Sequence, residues 1–237
     1  MVPGIESFRD KFKDYTDYYT IIGGSACDIL LTEASMNPLT LNEQSTLNYY
    51  NNKATEFVSG TVEVQFIEMQ DTFLKYVPAG GKILDFGCGS GRDTKYFLSR
   101  GYAVEATDGS EELCKIASEY TGISVKKMLF HELNSVGEYD GIWACASILH
   151  VAKQELPMII QKMADAVKDG GAVYMSFKYG EFEGVKNGRY FTYLTEGAFE
   201  KLIEQIPKLR VEKLWVTTDV RADRDEERWL NVILRRR

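Results

Sequence analysis

The sequence has no C-x-x-C pair: its four cysteines, Cys27, Cys88, Cys114 and Cys145, are scattered, and there are only two histidines. That spacing excludes a disulfide framework, gives no metal site and fits a reducing compartment. No apolar run approaches the roughly twenty residues that a membrane helix needs. Near the N-terminus stand Glu6 and Asp10, where a signal peptide would be basic and then apolar. The expectation is a cytoplasmic protein with no membrane partner. A surplus of positive charge is missing too. The net charge of −7 argues against a protein held mainly by nucleic-acid phosphates, whereas small-molecule or protein substrates fit it. Disorder is not expected, because 237 residues that are 44% hydrophobic and 12% aromatic can bury one core and carry an appendage.

What is present is a strand running into a glycine turn and then a helix. Ile83, Leu84 and Phe86 are strand formers; Gly87, Gly89 and Gly91 let the backbone take φ > 0 and approach a ligand with no Cβ in the way. A Walker loop ends in Gly-Lys-Ser/Thr, and this one ends Gly91-Arg92-Asp93. A dinucleotide fingerprint puts its third glycine where Arg92 stands and lacks an acid ahead of the turn, where pyrophosphate would be repelled. Here Asp85 stands. A carboxylate there suits a ligand with a positive centre, an ammonium or a sulfonium, and S-adenosylmethionine carries both. Asp108 follows about twenty residues on, where a ribose-binding acid is expected.

At these residues the chain resembles the class I S-adenosylmethionine-dependent methyltransferases, with Asp85-Phe86-Gly87-Cys88-Gly89-Ser90-Gly91 matching their first motif and Asp108 their second-strand acid. Trp143 to His150, Ser176 to Gly180, Gly188 to Phe191 and Glu227 to Val232 are similar to a bacterial group of small methyltransferases near the tellurite-resistance type. The likeness runs from about Leu41 to the C-terminus. It implies an α/β, Rossmann-like fold with a mostly parallel seven-stranded sheet, helices on both faces and an antiparallel C-terminal hairpin. It implies S-adenosyl-L-methionine as cofactor and transfer to a small-molecule or metalloid acceptor. A cofactor-binding module without turnover is the alternative.

Residues 1–35 stand apart. Their Gly23-Gly24-Ser25 turn resembles the opening of a minimal nucleotidyltransferase, but the metal-binding acids of that family do not follow. They are expected to be a truncated remnant or fusion, or a helical extension packing on the domain or on a neighbouring subunit, which leaves a homo-oligomer open. The methyltransferase-like domain is expected over 36–237.

From Asn42 to Val77 the pattern is helical. The resemblance makes this segment the cover of the cofactor pocket, with Tyr49 or Tyr50 beside the methionine end; aromatic packing of the lid is the other reading. Gly87, Cys88 and Gly89 would cradle the cofactor. The next helix's N-terminus and Arg92 suit a carboxylate. Asp108 with Gly109 is assigned to the ribose. A third strand is expected from Ser124 to Phe130, with Leu129 and Phe130 flanking adenine and no polar partner for the base identified. A buried strand over 139–147 brings the small Ala144 and Cys145 under the sulfonium. His150 is a candidate general base or a structural residue. The loop from Lys178 to Phe191 offers Lys178, Arg189 and Tyr190 for the acceptor, or for pinning the loop itself. The closing strands, Val211 to Val220 and Arg228 to Leu234, lie too close together to be parallel. Arg221 and Arg224 between them could reach the acceptor, though a solvated charge run is the default reading.

Overall fold

The computed structural model describes residues 39–221, 224 and 226–237; the expectations for 1–35 lie outside them. Leu41–Arg237 forms one compact unit. The expected helical stretch is three helices, α1 (Leu41–Asn52), α2 (Ala54–Ser59) and α3 (Ile67–Leu74). Lys53, at φ −120° and ψ 22°, breaks α1 from α2. Strand β1 (Lys82–Phe86) then enters the glycine turn, and α4 (Arg92–Ser99) leaves it with Gly91 at φ 78° as its N-cap. β2 (Ala103–Asp108) is followed by α5 (Glu111–Thr121), whose first turn is capped by Ser110 Oγ accepting the Leu113 N–H at 3.2 Å.

β3 is only Lys126–Lys127. The chain leaves the sheet early because the Glu132 carboxylate accepts the Leu129 N–H at 2.7 Å and closes a 3₁₀ turn over Phe130–Glu132. β4 (Tyr139–Ala144) likewise stops three residues before the expected end. There Ala146 turns the backbone to φ 49°, and its N–H donates to Ser176 Oγ at 2.8 Å. α6 (Leu156–Ala166), β5 (Val167–Lys178), α7 (Glu196–Ile203), β8 (Leu209–Thr218) and β9 (Arg228–Arg236) complete the main body.

The segment expected as a loop after β5 contains a hairpin, β6 (Glu183–Lys186) and β7 (Arg189–Thr192). Asn187 and Gly188, both at positive φ, supply the two left-handed residues that a tight hairpin turn demands.

The sheet order is β3-β2-β1-β4-β5-β9-β8. β1 to β5 are parallel, and β9 runs antiparallel to both β5 and β8. Strand alternation sends Ile142 to one face and Trp143 to the other. Leu84, Phe86, Ile142 and Met175 pack under α6 and α7, while Phe73, Ile83, Phe97 and Trp143 pack on the opposite side, where Trp143 stacks on Tyr174 at 4.0 Å. Strand order reverses at β1, between β2 and β4, and a ligand crevice forms at such a switch point beyond the strands' carboxyl ends.

Candidate active site: two chambers around the glycine turn

That crevice is divided. Two cavities, of about 100 and about 180 Å³, share walls from Gly87, Gly89, Tyr50, Phe57 and His150. Gly87, at φ 85°, could carry no side chain, since a Cβ would stand 2.5 Å from that of Ser147; a Cβ on Gly89 would press on the Phe57 ring at 3.1 Å. The N–H groups of Gly87 and Cys88 both donate to the Thr107 carbonyl at 2.9 Å, and that of Gly89 donates to Asp108 Oδ2 at 2.9 Å. The turn is thereby tied to the end of β2, and its open side faces the cavities.

The smaller chamber is an apolar slot under α1, walled by Leu47, Leu113, Met128, Leu129 and Phe130, with Gly109 at one side. Asp108 is its acid. Each carboxylate oxygen accepts one backbone N–H, from Gly89 and from Ser110, which leaves further lone pairs for a ligand's hydroxyls. Burial raises the Asp108 pKa. The lid is fastened here by Ser110 Oγ donating to Asn51 Oδ1 at 2.7 Å.

The larger chamber is charged. His150 Nδ1 lies 2.6 Å from the Tyr190 carbonyl oxygen, which can only accept, so Nδ1 carries the proton. Nε2 is then the acceptor, and the Tyr50 hydroxyl donates to it at 2.8 Å. Burial, offset only in part by the Tyr190 carbonyl, lowers the His150 pKa to about 4, so the ring is neutral at pH 7. Arg189 is caged by Tyr49, Phe191 and Tyr50, its guanidinium carbon 4.4, 5.1 and 5.8 Å from their centroids. One of its N–H groups reaches the Tyr50 oxygen at 3.4 Å, and its Nε is buried without a hydrogen-bond partner.

The other cations on this wall already have carboxylates. Arg92 holds Asp93 through two bonds, at 2.7 and 2.9 Å; Asp93 also accepts from Trp143 Nε1 and Gln70. Burial alone would raise the Asp93 carboxyl, but Arg92 and these donors hold its pKa below the usual value. Lys178 pairs with Glu227, and Arg224 lies 3.9 Å from the same carboxylate. Arg221 forks onto Asp219 at 2.8 and 2.6 Å. Against its own burial, Asp219 is drawn down to a pKa of about 2 by Arg221 and Trp229. Among the described residues, Arg189 is the one cation of the wall with no carboxylate partner. The Cys145 thiol also faces this chamber, where burial pushes its pKa to about 12, and burial raises Cys88 as well; neither is a nucleophile.

The expected site residues therefore divide. Tyr50, Gly87, Cys88, Gly89, Arg92, Asp108, Gly109, Leu129, Phe130, Cys145, His150, Lys178 and Arg189 meet at the two chambers. Four do not. Asp85 is 2% exposed behind the turn, where it accepts the Thr94 hydroxyl at 2.6 Å, and burial and the neighbouring Asp93 push its pKa up. Its carboxyl braces α4 and lines neither cavity. Ala144 is wholly buried in β4. Tyr49 sits on the outer side of the lid, stacked on Arg189. The Tyr190 hydroxyl donates to Glu183 at 2.7 Å, away from both cavities, so only its backbone serves the site.

Sequence reasoning missed Phe57, which stands between the chambers, and the roof supplied by Thr217, Asp219, Trp229 and Asn231. Nor is Arg221 part of a solvated run, since it is held over the larger chamber by a buried acid. Asp219 directly follows strand β8, at the strand's C-terminal end.

The chain is similar to known proteins. Residues 83–171 match the methyltransferase domain family model. An uncharacterized methyltransferase of Staphylococcus carnosus is 25% identical over 190 residues, covering 73% of this chain and 91% of its own. Among solved structures, magnesium protoporphyrin IX methyltransferase from Synechocystis with bound S-adenosylmethionine is 16% identical, with a TM-score of 0.62 over 85% of this chain and all of its own. The 1,6-didemethyltoxoflavin-N1-methyltransferase of Burkholderia thailandensis is 18% identical, with a TM-score of 0.61 over 84% of this chain and 92% of its own. A TehB-like methyltransferase from Corynebacterium glutamicum is 16% identical, with a TM-score of 0.58 over 81% and 98%. At these identities the solved structures establish the fold, which is Rossmann-like and of the class I methyltransferase type.

Proposed function

We propose that this S-adenosylmethionine-dependent methyltransferase acts on a small anionic acceptor, an organic carboxylate or a metalloid oxyanion. The observation that carries the proposal is the pairing of chambers across one glycine turn: a largely apolar slot with Asp108 at its glycine-turn end, and a charged chamber whose unpaired cation is Arg189. The slot suits a nucleoside, with Asp108 accepting from the ribose hydroxyls and Leu129 and Phe130 against the base. The cofactor would pass between the chambers along the Gly87–Gly89 backbone, which lines both. Its amino-acid end would meet the α4 N-terminus and whatever N–H groups of Arg92 are not given to Asp93.

Bound there, the cofactor supplies a methyl group on a sulfonium, ready for direct displacement. The protein has then to hold the acceptor in line at about 3–3.5 Å and exclude water. Arg189 is suited to the first task, because a guanidinium recognises a planar oxyanion through two parallel N–H groups. Phe57, Tyr50 and Phe191 are suited to the second. The Burkholderia thailandensis relative was solved with 1,6-didemethyltoxoflavin and S-adenosylhomocysteine, in keeping with a small molecule in the corresponding chamber.

Calorimetric titration of S-adenosylmethionine into the protein and its Asp108→Ala variant tests the cofactor half, with binding expected in the first and mostly lost in the second. Release of S-adenosylhomocysteine across a panel of small anions and matched neutral analogues tests the acceptor half. Turnover of the neutral analogues alone would overturn it.

A further inference from the structure

We infer that Glu43, on the lid helix α1, reads the cofactor's base by accepting the 6-amino group of adenine. This rests on the methyltransferase reading above and adds to it a residue that determines which base is accepted. Adenine offers an amino donor at one edge, and the slot must supply an acceptor there, since burying that donor unpaired would cost about 1–3 kcal/mol.

The polar side chains on the slot wall are few. Ser147 donates its hydroxyl to the Phe86 carbonyl at 2.7 Å. Thr46 donates to the Asn42 carbonyl and accepts the Tyr190 N–H, both at 2.9 Å. Tyr50 and His150 are bonded to each other at the border with the second chamber. Asp108 is fixed at the glycine turn, where the ribose belongs. Glu132, the acid that follows β3 in sequence, is turned back on the Leu129 N–H and is not on the wall.

Glu43 is on the wall, and its Oε1 lies 3.8 Å from His131 Nδ1. That places the carboxylate at the Leu129–Glu132 turn, against the part of the slot made by Leu129 and Phe130. A carboxylate has about four lone-pair positions, so it can take an amino group in addition to the contacts it already makes. Because Glu43 belongs to α1, a bound adenine would also tie the lid to the body at one more point.

The test uses the full chain with two probes, S-adenosylhomocysteine and its 6-oxo analogue S-inosylhomocysteine, titrated calorimetrically. A 6-oxo purine turns a carbonyl toward the Glu43 carboxylate, so the wild type should prefer the adenine form by about tenfold or more. Glu43→Ala should lose affinity for the adenine form alone. Glu43→Gln, with both a carbonyl and an amide donor, should bring the two ligands within about threefold of each other. A wild-type preference that persists unchanged in both variants overturns the assignment while leaving the cofactor site intact. A wild type that binds neither nucleoside overturns the assignment and the methyltransferase reading together.

Discussion

Tyr50 and His150, one hundred residues apart, meet through a 2.8 Å hydrogen bond whose direction is fixed from behind. The Tyr190 carbonyl holds the proton on Nδ1, so the tyrosine must donate to Nε2 and turn its oxygen lone pairs toward Arg189 and the chamber. His150 therefore reaches an acceptor's proton only through the Tyr50 hydroxyl. A carboxylate or metalloid oxyanion has no proton to lose, so this relay acts only where an acceptor anchored through its oxyanion is methylated at a second, protonated atom.

Tyr50→Phe and His150→Asn should each slow turnover by about 100-fold, the low end of general acid–base contributions. The double variant should be no slower than the worse single one, because residues acting as a unit are not additive. Steady-state release of S-adenosylhomocysteine measures all three, and a multiplicative double variant would show that the two act separately.

The same histidine shapes acid stability. Its folded pKa, about 4, lies below the ordinary 6.5, so the unfolded chain takes up a proton first as pH falls. The stability linked to a neutral His150 is full above pH 6.5 and is lost between there and pH 4, by about 3 kcal/mol in all. Urea unfolding at pH 7, 5.5 and 4.5 should show the wild type losing more than His150→Gln over that window; parallel curves would refute it.

Asp108→Asn keeps the side chain's shape but removes the charge that we assign to the ribose. Losing two charge-assisted bonds should weaken S-adenosylmethionine by about 100-fold, from 1.5 kcal/mol or more each, and the thermal midpoint of the free protein should also fall, because the new amide N–H must face the Gly89 or the Ser110 N–H. Calorimetry and a thermal melt separate the two effects.

Gly87→Ala and Gly89→Ala should differ in degree. The first places a Cβ 2.5 Å from Ser147 at φ 85° and should cost about 1–3 kcal/mol of stability along with cofactor binding. The second is also at positive φ, 56°, and meets the edge of the Phe57 ring at 3.1 Å, so it should cost about 1–2 kcal/mol of stability and raise the cofactor Kd by narrowing the passage between chambers. Melting temperature and Kd, taken together, check both.

Arg189→Met retains bulk between Tyr49 and Phe191 but removes the guanidinium. The acceptor KM should rise by about tenfold or more, with the cofactor Kd within about threefold of wild type. An unchanged KM would show that the aromatic cage holds Arg189 for structural reasons alone.

Asp108 and the glycines at 87, 89 and 91 were legible in the sequence because their roles are local. A turn that needs φ > 0 selects glycine wherever it folds, and a strand's last residue faces the crevice by the rule of parallel sheets. The sheet's parallel body and reversed final pair were legible for the same reason, through hydrophobic runs and the length of their connections. Tertiary structure decided the rest. It put Tyr50 and not Tyr49 on the wall shared by the cavities, turned Asp85 away from both cavities and moved the Tyr190 hydroxyl out of the chamber. It committed Arg92, Lys178 and Arg221 to acids, and Arg189 to none. Spacing along the chain cannot report these outcomes, because a charge or a hydroxyl is free or spent according to partners that only folding brings within 3 Å.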